Sequence, residues 1–559
     1  MFLKRIFAFT FILLNQILFC QSMSLNVKNY GAKSNDNKDD TVAFQKCVDA
    51  LAKNKGGTMI IPKGIYHISH LKFFGEKYSN ISIVGNGSKI IQIFPKKRIS
   101  VHGGLWKTYA ERYGADGCFV FDAQVSNQKN DNLSIKNISI KDLTFDSNVK
   151  KNGFDELNHQ LSAHGVSNFM VENCDFIGFL GDGIAISAGS DLQINSYAYN
   201  KNIKIKNCNF DGINKDNRQG ISIYYADGFI IENCNFKNIT REDMPGAIDI
   251  EPDKDFLVSR NGIIKNCTFE NIGGIAAITI HQKKATSENL FSSNGYKVDS
   301  CNFKNVNSPF SIIGNDSFVN YKENQYNIIF SNCIVENANT VADIRKAYGI
   351  LFENIKFSNI ITTTNNTVTE GGASLITFKN CFFEKVKNTY GLGFTGKTKK
   401  INFENCNFSE CKAHAITIND PNGVGFIIGN KFISSSHPNS FPLVTSFEAN
   451  ATNLLDSKMA DNISQGNFRK QNSLYYFVTN GDENNLVQFA PNKILYGNQE
   501  HILINMISLK EKEGYIKTYR GNHYKETWET YHPNNKNYYY KRNAKSLTKW
   551  GVWKKIVEN

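Results

Sequence analysis

The 559-residue sequence predicts an all-β solenoid in which successive coils of the chain stack in parallel. The main observation is a repeated phrase: residues 207–210 read Asn-Cys-Asn-Phe, and residues 233–236 read the same. Each copy is followed by a polar turn and then a short apolar strand, at residues 220–223 and 247–250. The composition agrees, because 41 glycines against 10 prolines and 12% aromatic residues suit many short strands joined by turns.

Variants of this phrase recur as far as about residue 470. Cys208 and Cys234 lie 26 residues apart and Cys381 and Cys406 lie 25 apart, whereas 34 residues separate Cys174 from Cys208. A coil of about 25 residues with loop insertions explains both spacings. Equivalent residues should therefore stack, with asparagines hydrogen-bonded along the turns and cysteines buried as thiols rather than as disulfides or metal ligands. The stacked cysteines are Cys174, Cys208, Cys234, Cys267, Cys301, Cys333, Cys381 and Cys406.

The N-terminus predicts export. Lys4 and Arg5 precede an apolar run at residues 6–19, which is too short for a membrane span but typical of a signal peptide, here residues 1–22. A lipid anchor on Cys20 stays open as an alternative. No later stretch predicts a transmembrane segment, so we expect a secreted, extracellular or periplasmic protein.

The formal net charge of +13 favours an anionic partner such as an acidic polysaccharide. A role in solubility alone explains the charge equally well. Nucleic acid is disfavoured, because no block rich in Lys and Arg stands out. The oligomeric state cannot be predicted.

A capping helix is predicted next to the signal peptide. Asp40 and Thr41 precede residues 42–52, in which Phe44, Cys47 and Leu51 share one apolar face. Such a helix would close the open end of a solenoid. The surrounding segment, VKNYGAKSNDNKDDTVAFQKCVDALAKNKGGTMIIPKGIYHIS, resembles the N-terminal signature of the pectate-lyase superfamily.

That superfamily includes polygalacturonases, rhamnogalacturonases, epimerases and phage tailspikes. The resemblance implies a right-handed parallel β-helix, which we expect over residues 23–471, and action on a polysaccharide. It implies no particular activity, since the catalytic motifs of polygalacturonases and of alginate epimerases are not found in order here.

Residues 472–559 predict a separate β-rich module, because the repeated phrase stops and aromatic residues crowd in, as in Tyr538-Tyr539-Tyr540. The ending loosely resembles terminal modules of phage tail fibres. Contact with carbohydrate or a surface is one interpretation. A cap with its own buried aromatic core is the other.

A row of polar residues is predicted on one outer face of the coils. When Ile186, Ile223, Ile250, Ile280, Ile312 and Ile344 are aligned as inward-facing residues, their neighbours must point outward, since side chains alternate along a strand. The outward positions bring together Tyr224, Asp249, Glu251, His281, Asp343 and Arg345. They extend over roughly 20 Å at the strand spacing, which suits an extended polymer.

Asp249 and Glu251 are the candidate catalytic pair of a glycoside hydrolase. Their backbones should lie about 6.6 Å apart, which favours an inverting reaction with room for water. Glu251 is expected to be the general acid and Asp249 the general base. His281 would position Glu251 or contact the substrate. A solvated surface pair is the alternative.

Three further members of that row, Tyr224, Asp343 and Arg345, are expected to bind the substrate. Arg218 and Arg345 could bind a uronate or sulfate through their guanidinium groups. Asp182, in a Gly-Asp-Gly turn, resembles Asp-Gly turns near catalytic coils of the superfamily, although a turn residue of this kind is more often structural.

Two other classes of function stay open. A polysaccharide lyase would use His281 as base and Arg345 or Arg218 to neutralise a uronate, with Ca²⁺ on Asp249 and Glu251 as a further option. A non-catalytic glycan-binding protein or adhesin would fit the long ladder equally well. The hydrolase needs no cofactor and no metal.

Overall fold

The computed structural model describes most of the chain between residues 23 and 557. The described ranges are 23–94, 117–123, 134–187, 200–252, 259–283, 293–315, 325–361, 369–370, 372–387, 391–396, 398–411, 414–418, 420–434, 441–446, 458–466, 475–480, 499–504, 514–519, 528–533, 536–546 and 549–557. The expected signal peptide and the anchor at Cys20 lie outside them. None of the helices in these ranges is long and apolar enough to cross a bilayer.

The described chain is a right-handed parallel β-helix, as predicted, with three strands in each regular coil. One coil consists of Ile221–Ile223, Ala226–Glu232 and Asn235–Ile239, and each strand pairs in parallel with its equivalent in the next coil. Strands of the first kind form one sheet, and the other two kinds together form a second sheet. We call the three walls the first, second and third faces.

The first face carries the predicted polar row. Its strands are Leu71–Phe74, Gly117–Asp122, His159–His164, Ile184–Ser187, Ile221–Ile223, Gly246–Ile250, Ala276–His281, Phe310–Ile313, Asp343–Arg345, Thr369–Glu370, Leu392–Phe394, His414–Ile418, Phe441–Ser446, Tyr475–Asn480 and Gln499–Ile504.

The second face begins with the N-terminal strand and ends near residue 460. Its strands are Ser24–Asn26, Gly57–Ile60, Val166–Glu172, Asn200–Lys206, Ala226–Glu232, Ser259–Lys265, Tyr296–Asp299, Ile328–Ser331, Tyr348–Glu353, Ser374–Lys379, Lys399–Glu404, Val424–Ile428 and Met459–Ala460. Two longer strands, Ile81–Gln92 and Ile135–Asp146, continue from this face onto the third.

The third face carries the phenylalanines of the repeated phrase. Its strands are Ile65–Ile68, Asp175–Ile177, Asn209–Asp211, Asn235–Ile239, Thr268–Ile272, Asn302–Val306, Ile334–Ala338, Lys356–Ile360, Phe382–Val386, Asn407–Ser409, Lys431–Ser434 and Ile463–Gly466.

Stacked aromatic rings fill the interior behind the third face. Phe210 lies 4.7 Å from Phe236 between ring centroids, and Phe236 lies 4.9 Å from Phe269, with nearly parallel planes. These separations equal the spacing of neighbouring strands, about 4.8 Å. One ring per coil thus packs on the next, and the repeated Phe fixes the register of the stack.

The asparagine and cysteine of the phrase also stack as predicted. Asn233 donates from Nδ2 to Oδ1 of Asn207 at 3.2 Å, and Asn207 donates in the same way to Asn173. These asparagines have φ near +54°, a left-handed conformation that asparagine tolerates better than most residues. The cysteine that follows is buried, and Cys208 Sγ donates to the carbonyl oxygen of Lys206 at 3.2 Å.

The N-terminal helix spans Thr41–Lys53 and confirms the expected cap. Phe44, Cys47 and Leu51 are fully buried against the first coils. Thr41 begins the helix, with its backbone N–H donating to Oδ1 of Asp39 at 2.8 Å. The other helices among the described residues are a single turn at Val149–Asn152 and the 3₁₀ turns Val27–Tyr30, Glu76–Tyr78 and Pro421–Gly423.

Parallel pairing continues beyond residue 471, the expected end of the β-helix. Tyr475–Asn480 and Gln499–Ile504 still pair in parallel on the first face. The antiparallel sheet follows, with strands Gly514–Tyr519, Trp528–Pro533, Tyr538–Ser546, Lys549–Trp550 and Lys554–Val557. The first sheet therefore runs from the β-helix into the C-terminal module without a break in pairing.

The C-terminal sheet has a buried core of its own. Tyr531 is fully buried, and the buried Glu529 and Arg542 form an ion pair of 2.7 Å. The guanidinium of Arg542 lies 4.3 Å from the ring centroid of Trp553. Lys541 covers the ring of Trp528 in a similar way. These contacts favour a cap with a self-buried aromatic core over an open carbohydrate platform.

Candidate active site

The predicted alignment of the first face is correct. Ile223 pairs with Ile250, Ile250 with Ile280, and Ile280 with Ile312, so the inward isoleucines form one column. Tyr224, Glu251 and His281 consequently occupy three successive strands of one outward row, about 4.8 Å apart. The backbone N–H of Glu251 donates to the carbonyl oxygen of Ile223, which keeps this row within the ladder.

Glycine permits the close approach of two site strands. Gly246 begins the strand that carries Asp249 and has φ of +134°. A Cβ at this position would lie 1.6 Å from the carbonyl oxygen of Ala276 in the next strand. Any other residue at position 246 would push this strand away from its neighbour.

Asp249 faces outward from the column but is completely buried. Within the described residues, no hydrogen-bond donor reaches either of its carboxylate oxygens. Burial raises the pKa of Asp249 well above its ordinary value, the neighbouring Glu251 carboxylate raises it further, and the cation of Arg218 opposes the rise. Asp249 therefore holds a proton, and this environment disfavours its expected role as general base.

Glu251 and His281 are the accessible members of the three candidate catalytic residues. His281 Nε2 lies 3.6 Å from Oε1 of Glu251, and each side chain keeps about a quarter of its surface exposed, 25% and 27% respectively. The protonated Asp249 beside Glu251 can donate a hydrogen bond to it. These two side chains can exchange protons with a ligand in the row.

Arg218 is not a free anion-binding group, in contrast to the expectation from sequence. Its Nη1 contacts both oxygens of Asp182, at 2.7 and 2.9 Å, and both side chains are buried. The same nitrogen donates to the hydroxyl of Tyr224 at 2.8 Å and lies 3.3 Å from Ser222 Oγ. The burial of Asp182 likewise disfavours direct contact with a substrate.

Asp182 is held from its other side by His159. The backbone N–H of Asp182 donates to His159 Nδ1 at 3.0 Å, and the backbone N–H of Gln219 approaches Asp182 Oδ1 at 3.3 Å. Burial lowers the pKa of His159, so this imidazole is neutral and its Nδ1 accepts. The Gly-Asp-Gly turn thus anchors Arg218 rather than lining the row.

Asp343 and Arg345 lie further along the same face. Arg345 Nε donates to Asp343 Oδ1 at 3.0 Å, and Ser311 Oγ donates to Asp343 Oδ2 at 3.2 Å. The side chain of Arg345 is 46% exposed, so it remains the accessible cation of the row. Its position is two strands beyond His281, separated by Ile313.

Sequence reasoning missed His159 and His164, which belong to the strand His159–His164. His164 pairs with Ser187 and so extends the outward row by one strand. It is buried, burial lowers its pKa to about 3, and neither ring nitrogen has a hydrogen-bond partner within the described residues. Extending the isoleucine alignment back by one coil would have found it.

The residues do not fit a calcium site at Asp249 and Glu251. In the ranges that the structure describes, no three His, Cys, Asp or Glu side chains gather as metal ligands. Ca²⁺ takes six to eight oxygens. Here the candidate pair offers one buried, protonated carboxyl and one carboxylate.

Comparison with known proteins places this architecture among the right-handed β-helices. The family model described as "Right handed beta helix region" matches residues 196–377, and "Rhamnogalacturonase A/epimerase, pectate lyase-like" matches residues 24–242. Residues 24–377 therefore match models of pectate-lyase-like and right-handed β-helix proteins, in agreement with the resemblance seen in the sequence.

Two curated relatives match over short stretches. Alginate lyase 7 of Azotobacter vinelandii is 47% identical over 73 residues, which is 12% of this chain and 8% of that protein. Mannuronan C5-epimerase AlgE3 of the same organism is 32% identical over 124 residues, 20% of this chain and 6% of the epimerase. The matched part is thus less than a tenth of each relative's length.

Solved structures share the fold. The N-terminal fragment of bacteriophage phi29 gene product 12 has a TM-score of 0.56 and 13% identity, covering 85% of this chain and 78% of that one. The tailspike of E. coli bacteriophage HK620 in complex with a pentasaccharide has a TM-score of 0.50 and 12% identity, covering 95% and 92%. At such identities the likeness shows the fold alone.

Proposed function

We propose that the row of Tyr224, Glu251 and His281 is the active site of an exported enzyme that cleaves an acidic, uronate-containing polysaccharide by β-elimination. The carrying observation is the Glu251–His281 pair, two proton-transfer groups 3.6 Å apart and both accessible on one face. The local similarity to an alginate lyase supports the choice of a uronate polymer.

Base and acid chemistry can come from the same side of the sugar. Neutral His281 would accept the C5 proton, while Glu251 orients the ring and stabilises the imidazolium that forms. The C5–H electron pair becomes the C4–C5 double bond, and the C4–O4 bond breaks. The imidazolium would then return its proton to the departing O4, so that His281 ends neutral. Arg345 is the accessible cation for the uronate carboxylate.

Hydrolysis is the second candidate, because the protonated Asp249 could act as an acid next to the accessible carboxyl group of Glu251. An inverting hydrolase, however, needs carboxyl groups about 6.5–9.5 Å apart on opposite sides of the bond. The two carboxyls here interact directly, and Asp249 is buried. These facts favour elimination over the paired-carboxylate mechanism.

The test is incubation with a panel of acidic and neutral polysaccharides, followed by mass analysis and ultraviolet absorbance of the products. Elimination gives unsaturated uronates that absorb, and hydrolysis gives products heavier by one water without that absorbance. Binding without any product would leave a non-catalytic glycan-binding protein. Glu251→Gln in the same assay controls for contaminating activity.

A further inference from the structure

Arg218 is committed to a buried ion pair with Asp182 and is not positioned to bind a substrate anion. Both oxygens of Asp182 lie within 2.9 Å of its Nη1, in a buried ion pair. Asp182 is itself fixed by the backbone N–H of Gln219 and by its own N–H on His159. Separating such a buried pair is costly, so Arg218 stays where it is.

The hydrogens of Arg218 determine what the Tyr224 hydroxyl can do. Nη1 carries two hydrogens; Asp182 takes one, and the Tyr224 oxygen at 2.8 Å is the nearest partner for the other. Because a guanidinium only donates, the hydroxyl oxygen must accept this bond. The hydroxyl hydrogen of Tyr224 is therefore directed away from Arg218.

We propose that Tyr224 is a specificity-determining hydrogen-bond donor to an acceptor oxygen of the bound glycan, and that Arg218 is the positioning residue that fixes its direction. Tyr224 lies one strand from Glu251, beside the proposed bond cleavage, and is only partly buried. Its ligand is a ring, glycosidic or carboxylate oxygen of the sugar unit next to the cleaved bond. This inference rests on the proposed function of the row.

The test is a double-mutant cycle of Tyr224→Phe and Arg218→Gln, with kcat and KM measured on the cleaved polysaccharide. Each single variant should lose about 10- to 100-fold in kcat/KM, the effect of an unmade hydrogen bond in a desolvated site. The double variant should lose no more than the worse single variant, because Arg218 acts through Tyr224. Thermal melting of each variant corrects for unfolded protein.

Arg260→Gln is the matched control. Arg260 forms a partly buried ion pair with Asp227, 2.6 Å apart, on the second face. Its loss should leave kcat/KM unchanged. A wild-type value of kcat/KM for Tyr224→Phe would overturn this inference but not the proposed function. The same holds if the loss of kcat/KM in the double variant equals the product of the two single losses. Wild-type protein that neither cleaves nor binds any glycan would overturn the proposed function as well.

Discussion

Asp249 and Glu251 are two positions apart on one strand and face the same way, yet their environments are opposite. Asp249 is completely buried, whereas Glu251 keeps about a quarter of its side chain exposed beside His281. The difference decides which carboxyl holds the proton. It also makes Glu251 the member of the pair that a substrate can touch.

Glu251→Gln should reduce the rate of glycan cleavage by about 10²- to 10⁴-fold, because His281 then loses the carboxylate that orients its ring and stabilises its imidazolium. The neutral amide lacks the negative charge that would stabilise an imidazolium at His281. Glu232→Gln is the control, since Glu232 forms an ion pair with Lys265 on the second face. Cleavage by Glu251→Gln within a few-fold of the wild type would exclude this site.

Asp249→Asn should retain cleavage and change the pH dependence of stability. The folded-state pKa of Asp249 is raised, so the folded protein binds an extra proton above the unfolded pKa of about 4. Wild-type stability should therefore fall as pH rises from about 4 through the folded pKa, by up to about 1.4 kcal/mol per pH unit. Asparagine at position 249 does not titrate, so the variant should not lose stability in this way.

Urea denaturation of both proteins between pH 4 and pH 9 would measure this effect. The difference in free energy of unfolding between Asp249→Asn and the wild type should shift in favour of the variant as pH rises. Parallel curves would mean that Asp249 is ionised in the folded protein. Loss of cleavage in Asp249→Asn would show that its proton takes part in the reaction.

In most of the described coils, the turn between the second and third faces depends on an asparagine in a left-handed conformation. Asn233 has φ of +54° and donates along the ladder to Asn207. Asn233→Ala should cost about 1–2 kcal/mol in the free energy of unfolding, because alanine adopts this conformation poorly. Asn233→Gly should cost less, since glycine adopts it freely.

Asn235→Ala separates the two contributions to that cost. Asn235 donates to Asn209 at 2.8 Å in a similar ladder but has no positive φ. Chemical denaturation of the three variants measures the difference. An Asn235→Ala cost equal to that of Asn233→Ala would show that the ladder bond, not the backbone, selects asparagine.

The repeat could be predicted because each coil repeats the same inward residues, which fixed the register of the first face correctly from the isoleucines alone. A second ladder, Asn238, Asn271, Asn305 and Asn337, also has φ near +55° and was missed, although each member follows the cysteine of its coil at the same spacing. The partner of Arg218 could not be predicted, because it lies 36 residues away in another turn. The burial of Asp249 could not be predicted either. The alternation of side chains along a strand tells which face a residue points to, but not which other residues cover it there.

Across the whole molecule, the cysteines form part of a continuous interior rather than a set of crosslinks. All eleven in the described residues are free and buried, from Cys47 in the cap to Cys411 near the end of the repeats. Burial raises the pKa of both Cys47 and Cys411 to about 12, which leaves almost no reactive thiolate at neutral pH. The core of the described residues is therefore built from free thiols, without disulfides between them.

The eleven thiols should react with an aromatic disulfide reagent only after denaturation, and a reducing agent should not change the melting temperature. The physical reason is that reaction requires access to the sulfur, and a packed solenoid core denies this access unless it opens. Cys20, outside the described residues, is controlled for by Cys20→Ser. Rapid reaction of several thiols in the native protein, or a melting temperature that falls on reduction, would show that the stacked cysteines are exposed or crosslinked.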